Sequence, residues 1–283
     1  MVPAPLKLHL VRLRTFGASL LRLMDQRHLG LIAAGVAFFS MLAAFPALAA
    51  VVAIWGFFAD PAVVTDFAAL SRRYLPAEAF DIVAAQLETL VSADASRFGW
   101  TAALTLGVAL WSARTGVAAI MQGLNAVFGL SNRGGLRQQL VAMLLTLCLI
   151  AAALTALATG IVAPIVVALV PLGPFEAWSL TVLRWSVAPL TTVLAIGVFY
   201  RYGPNFPADR PPLLSPGLGV AAALWLMGSE AFALYLGNFG SYNQIYGSIG
   251  AVVALLVWFY LSAYAVLLGA AVNAALRDAA RVQ

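Results

Sequence analysis

Charge is the scarcest feature of this sequence. Only 10% of its 283 residues are Asp, Glu, Lys or Arg, against about 25% in a soluble domain whose surface must stay wet. A chain of this length could bury a large core, yet it lacks the polar surface to enclose one in water. Histidine is nearly as scarce. His9 and His28 both lie in the amino-terminal segment, with no HExxH or comparable spacing to hold a metal. Nor is there a GxSxG elbow, a GxxxxGK phosphate loop, or a pair of acids at helical spacing inside an apolar run. Hydrolases need such converging groups, so the sequence argues against an enzyme, and neither metal nor cofactor is expected. The one cysteine, Cys148, lies within an apolar run. It can form no internal disulfide and reads as packing.

Apolar residues fill the space that charge leaves, at 63% of the chain and a mean hydropathy of +0.95. They form six runs, roughly Leu29–Phe58, Phe98–Val127, Leu140–Val170, Leu180–Tyr200, Leu213–Leu236 and Ile249–Leu276. About 20 residues of helix cross the hydrocarbon. The runs therefore predict an all-α, polytopic membrane protein with about six transmembrane helices. The longer runs must tilt, bend or extend past the bilayer, and Pro46 and Pro164 are natural bends. The first run far exceeds the roughly 7–15 residues of a signal-peptide core, so it reads as a retained helix. Before it, Leu6, Leu10, Leu13, Leu20 and Met24 alternate around a helix with Lys7, Arg12, Arg14 and Arg22. That is a short amphipathic helix suited to an anionic membrane surface. The expected organisation is an amino-terminal segment over 1–28, a six-helix domain over 29–276, and a tail over 277–283. A sizeable outer loop at about 59–97 carries Asp60, Asp66, Glu78, Asp81, Glu88 and Asp94, which read as a solvated face.

Placement of the charges accounts for a net +5 without RNA or DNA. One set of connecting segments holds Lys7, Arg12, Arg14, Arg22, Arg27, Arg133, Arg137, Arg201, Arg210, Arg277 and Arg281. The opposite set holds only Arg72, Arg73 and Arg97, all in the acidic first loop. The positive-inside rule then places both termini in the cytoplasm, as an even number of spans requires.

Two arginines remain, and both fall inside apolar runs. Ionisable groups in hydrocarbon are expensive, so they are functional candidates by default. Arg114 lies near the centre of the second run. Arg184 in the fourth and Glu230 in the fifth each come out about 8 Å outward of their helix midpoints at about 1.5 Å per residue. That shared depth makes them a candidate gate pair. On the second helix Thr101, Thr105, Ser112, Thr115 and Gln122 fall within about 100° of one another. Arg114 and Asn125 share the adjacent side. Arg114, Asn125, Ser112, Thr115 and Gln122 are thus a candidate substrate pathway, although hydroxyls and amides between helices are also ordinary packing. Between the fifth and sixth runs, Gly237 to Gly250 contains four glycines with Asn238, Tyr242, Asn243 and Tyr246. It reads as a loop of tight turns, either an outer turn or a re-entrant segment lining a cavity.

This segment and its surroundings resemble the YihY/BrkB family of bacterial membrane proteins. The resemblance runs through Tyr200-Arg201-Tyr202, Tyr235, Asn238-Phe239-Gly240-Ser241-Tyr242, Tyr246-Gly247-Ser248-Ile249-Gly250, Leu268-Gly269-Ala270 and Asn273-Ala274. Ala37-Phe38-Phe39-Ser40, Phe45-Pro46, Trp111-Ser112 and Asn125-Ala126 agree as well. It implies a six-helix protein of the bacterial inner membrane. An older label of the family, ribonuclease BN, finds no support in these residues, and members are discussed as transporters, including of lipids. Where family members often carry acids, this chain has Ser131-Asn132 and Ala271, so no mechanism using those acids is expected here.

The function expected is transport or translocation of an anionic, lipid-like substrate. A non-transporting scaffold for envelope assembly is the alternative, and an intramembrane enzyme is disfavoured. The bilayer, with its anionic lipid, is the expected partner, with a second copy or an envelope protein left open.

Overall fold

The computed structural model describes the backbone of residues 16–58, 100–169, 174–207, 210–237 and 240–281. Six long helices follow a short one at 16–26, and no strand occurs among the described residues. They are α1 (Leu29–Phe58), α2 (Trp100–Phe128), α3 (Gly135–Leu169), α4 (Pro174–Tyr202), α5 (Pro216–Gly237) and α6 (Gly240–Arg281). Hydrocarbon offers no partner for backbone N–H and C=O groups, so a chain this apolar satisfies them within helices. Among the described residues five helices hold segments long and apolar enough to cross a membrane: Leu29–Leu48, Ala103–Phe128, Gly135–Thr155, Pro216–Leu236 and Val252–Ala279. Their outward side chains are apolar too. Leu31, Leu104, Val108, Leu144, Leu234 and Val253 are all exposed, as lipid solvation allows and water would penalise.

Several ends differ from those expected. α3 begins at Gly135, five residues before its apolar run, and α4 at Pro174, six before. α6 starts at Gly240 and continues to Arg281. The glycine-rich segment expected as a loop is therefore helical from Gly240, and the tail from 277 continues α6. Hydropathy marks where lipid ends, whereas a helix runs on into the interface until something stops it. At 42 residues α6 is about 63 Å long, twice the roughly 30 Å hydrocarbon. No proline interrupts it, and each glycine costs only about 1 kcal/mol. The first helix stops for a visible reason. His28 adopts a left-handed φ of 48° and its N–H donates to Asp25 O at 2.9 Å, after which α1 begins. Residues 1–15 and the outer loop at 59–97 lie outside the described residues.

The chain divides into two compact units. One comprises Met1–Met41, Ala118–Val141 and Ile196–Gln283, the other Leu42–Val117 and Ala142–Ala195. In the second, Ala50 and Val51 of α1 and Ile150 of α3 form a buried cluster with Leu106, Ala109 and Leu110 of α2 and Leu154 of α3. In the first, small residues let helices meet closely. A Cβ on Gly123 would sit 3.1 Å from both Ile32 of α1 and Leu267 of α6. A Cβ on Gly217 of α5 would overlap the carbonyl of Gly269 of α6. The Tyr200 hydroxyl of α4 donates to Val266 O of α6 at 2.5 Å.

Candidate functional site

The first unit gathers several chain turns at one end. α2 closes with Gly129 at φ 66°. Leu130 N–H donates to Asn125 O at 2.8 Å and Gly129 N–H to Ala126 O at 3.2 Å. This is a Schellman stop, in which a left-handed glycine lets the last carbonyls find donors. The Arg27 guanidinium lies over that glycine, where a Cβ would meet it at 2.8 Å. The Asn125 side chain, 1% exposed, then ties two loops together. Its Nδ2 donates to Asn132 Oδ1 at 2.9 Å and its Oδ1 accepts from Asn205 N–H at 2.7 Å. Asn132 supplies here the acceptor that an acid would supply.

Arg133 repeats the tie across the same two loops. Its Nη1 donates to Gly203 O at 2.6 Å. Its Nη2 donates to Tyr202 O at 2.9 Å and Pro204 O at 2.5 Å. Those carbonyls end α4, where the helix dipole favours a cation. Burial, followed by the charges of Arg137 and Arg210, pushes the Arg133 guanidinium below its ordinary value. The start of α5 is capped in a comparable way. Ser215 stands before Pro216 and its Oγ accepts from Leu218 N–H at 3.3 Å, a serine cap with proline at the first helical position. Asn273 of α6 donates to that Oγ at 2.9 Å and accepts from Gly217 N–H at 2.9 Å. Removing the Asn125 amide should therefore cost stability. Asn125→Ala breaks the bonds to the half-buried Asn205 N–H and to the exposed Asn132 oxygen, a loss of about 1–3 kcal/mol readable as a lower melting midpoint in detergent. Asn125→Asp keeps the acceptor for Asn205 and should recover part of the loss.

Arg114 lies in the second unit. It is 8% exposed, and its Nε is buried with no hydrogen-bond partner. Its guanidinium carbon stands 4.2 Å from the centre of the Trp111 ring. No acid occurs in the α1, α2 and α3 segments of this unit, and no carboxylate pairs with Arg114 among the described residues. Thr115 Oγ1 donates to Ser112 O at 2.7 Å, a local helix bond. Gln122 is exposed and belongs with Asn125 to the first unit. The structure thus places Ser112 and Thr115 with Arg114 in one unit, and Gln122 and Asn125 in the other. Glu230 is exposed on α5, while the Arg184 side chain lies outside the described residues. Tyr242, Asn243, Tyr246, Gly247 and Gly250 fall on the first turns of α6. Asn238 lies outside the described residues, as do the side chains of Tyr242, Asn243 and Tyr246. Among the described residues no group of His, Cys, Asp and Glu could hold a metal.

Sequence reasoning did not single out Arg133, Asn205 or Asn273 as structural ties. Asn273 was legible only as part of a family motif, and the partners of Arg133 are some 70 residues away.

Long apolar helices and lipid-compatible outer surfaces define a polytopic helical membrane protein. The chain belongs to the BrkB family: residues 20–283 match the family described as Virulence factor BrkB. It is similar to the ribonuclease-like protein YfkH of Bacillus subtilis, at 28% identity over 86% of this chain and 88% of that protein. It is also similar to UPF0761 membrane proteins, at 40% identity in Xanthomonas campestris and 39% in Xanthomonas axonopodis. Each of those matches covers 30% of this chain and 20% of the relative. The chain thus spans most of YfkH and a fifth of the Xanthomonas proteins. No solved structure matches it.

Proposed function

We propose that this protein is a transporter or translocator of an anionic, lipid-like substrate in the bacterial inner membrane, with both termini cytoplasmic. The observation that carries the reading is the buried Arg114, with which no acid pairs among the described residues. A charged arginine at the centre of a spanning helix costs about 2.5–3.5 kcal/mol on insertion scales. Stacking on Trp111 returns about 0.5–2 kcal/mol. The balance is unfavourable, and among the described residues the Nε has no acceptor. A substrate phosphate or carboxylate would supply one in the forked geometry that guanidinium prefers. With no nucleotide-binding motif in the sequence, transport is passive, ion-coupled or driven by a partner.

Reconstituted vesicles test the reading. With fluorescent phosphatidylglycerol in both leaflets, dithionite bleaches only the outer half of empty vesicles. Vesicles holding the protein should lose more than that half. Bleaching equal to that of empty vesicles, with phosphatidylglycerol and with other anionic amphiphiles alike, would leave the scaffold reading in its place.

Orientation follows from the basic loops. Arg27, Arg133, Arg201, Arg210 and Arg277 all belong to the first unit, and the Arg133 bonds hold the α2–α3 and α4–α5 connections on one side. By the positive-inside rule that side is the cytoplasm. In a Cys148→Ala background, cysteines at Asp209 and Arg281 should label only from inside, and cysteines at Asp81 and Tyr242 only from outside. Labelling of Asp209 and Tyr242 from the same side would remove the six-span arrangement.

A further inference from the structure

The basic end of the first unit carries more positive charge than its internal bonds need. Tyr202 is at its centre. The guanidinium carbons of Arg210 and Arg201 stand 5.3 Å and 5.8 Å from its ring centre, and Arg133 donates to its carbonyl. Arg137, one turn beyond Arg133, joins the same field, since Arg137 and Arg210 are the charges that act on Arg133. Three guanidinium groups therefore meet around one tyrosine, with Arg137 within electrostatic reach of Arg133. Arg133 and Arg201 spend hydrogen bonds on neutral carbonyls, which do not neutralise their charge. Arg137 and Arg210 are exposed and make no hydrogen bond or ion pair among the described residues. Asp209 adjoins Arg210 in sequence but lies outside the described residues. Even a full pairing there leaves three of the four charges.

Like charges this close repel one another, and an anion seated among them would relieve that repulsion. The surroundings say which kind. Leu136 is 75% exposed and Leu140 57%, one turn apart on the same face of α3 and directly beside Arg137. Leu214, 80% exposed, lies four residues past Arg210. Gln138 keeps both amide atoms out of water with no partner. Guanidinium groups beside bare leucines at the end of a spanning helix fit a phosphate with acyl chains attached. A nucleic acid could stack a base on the exposed Tyr202 ring, but it would leave those leucines bare.

We propose that Arg133, Arg137, Arg201 and Arg210 form a binding site for the headgroup phosphate of an anionic phospholipid, whose acyl chains lie along Leu136 and Leu140. The site is distinct from Arg114 and does not rest on the transport reading.

Purified protein in a mild zwitterionic detergent tests it through thermal melting. Phosphatidylglycerol at about a hundredfold over its Kd should raise the midpoint by roughly 5–10 °C, and phosphatidylcholine should not. Arg137→Gln/Arg210→Gln should melt near wild type without lipid, because neither side chain makes a hydrogen bond, and should lose most of the lipid shift. Gly219→Ala, at a position with open space around it, is the control and should keep all of it. Equal shifts from both lipids in the wild-type protein would overturn the proposal whatever the variants do. So would an undiminished shift in a folded double variant, or a shift reproduced by inorganic phosphate or a short RNA alone.

Discussion

Gly269→Val is expected to leave little folded protein, and even Gly269→Ala should lower the melting midpoint sharply. A Cβ built on Gly269 meets the carbonyl oxygen of Gly217, the hydroxyl of Tyr200 and the Cβ of Ala221. The first is backbone and cannot rotate away. The second is held by its bond to Val266 O. α5 and α6 would have to separate, breaking the bonds from Asn273 to Ser215 and Gly217 at the same time. Overpacking a tight core costs about 1–3 kcal/mol. The lost capping bonds add about 1 kcal/mol each, so on the order of 3 kcal/mol or more is at stake. For a chain of this size that lowers the midpoint by about 6–12 °C. Gly219, two residues along α5, is the control. Nothing lies within 4 Å of a Cβ there, so Gly219→Ala should be neutral or stabilise by up to about 1 kcal/mol through helix propensity. Equal losses at 217, 219 and 269 would mean that the α5–α6 crossing does not set the cost.

The sequence showed these features unequally. Leu29–Phe58 can be read directly, because its apolar run is bounded by Arg27-His28 on one side and by Asp60 on the other. The starts of α3 and α6 cannot. Leu136-Arg137-Gln138-Gln139 and Ser241-Tyr242-Asn243-Gln244 are polar enough to read as loops, yet they are helical in both cases. A helical wheel puts Arg114 and Asn125 on one side of α2. It cannot show that Asn125 is bound by an amide 80 residues away, because that contact depends on how α2 and α4 end. The polar residues that tie loops together were therefore seen as residue types and not as a network. Arg114 was visible as a candidate because charge in hydrocarbon stands out on composition alone.

Arg114→Gln is expected to stop transport while leaving the fold intact. The substitution removes a buried charge whose insertion cost of about 2.5–3.5 kcal/mol exceeds its stacking gain of about 0.5–2 kcal/mol. Stability should stay level or rise. If the guanidinium binds the substrate anion, losing that charged hydrogen bond costs about 1.5–3 kcal/mol, at least about a tenfold loss of flux. Arg114→Lys keeps the charge but not the planar fork, so it should fall between the two. The most direct test is to measure dithionite-resolved phosphatidylglycerol flux and detergent melting on the same preparations of wild type and Arg114→Gln. The account predicts a variant that melts no lower than wild type and moves lipid at the rate of empty vesicles. A folded Arg114→Gln protein with wild-type flux would contradict it.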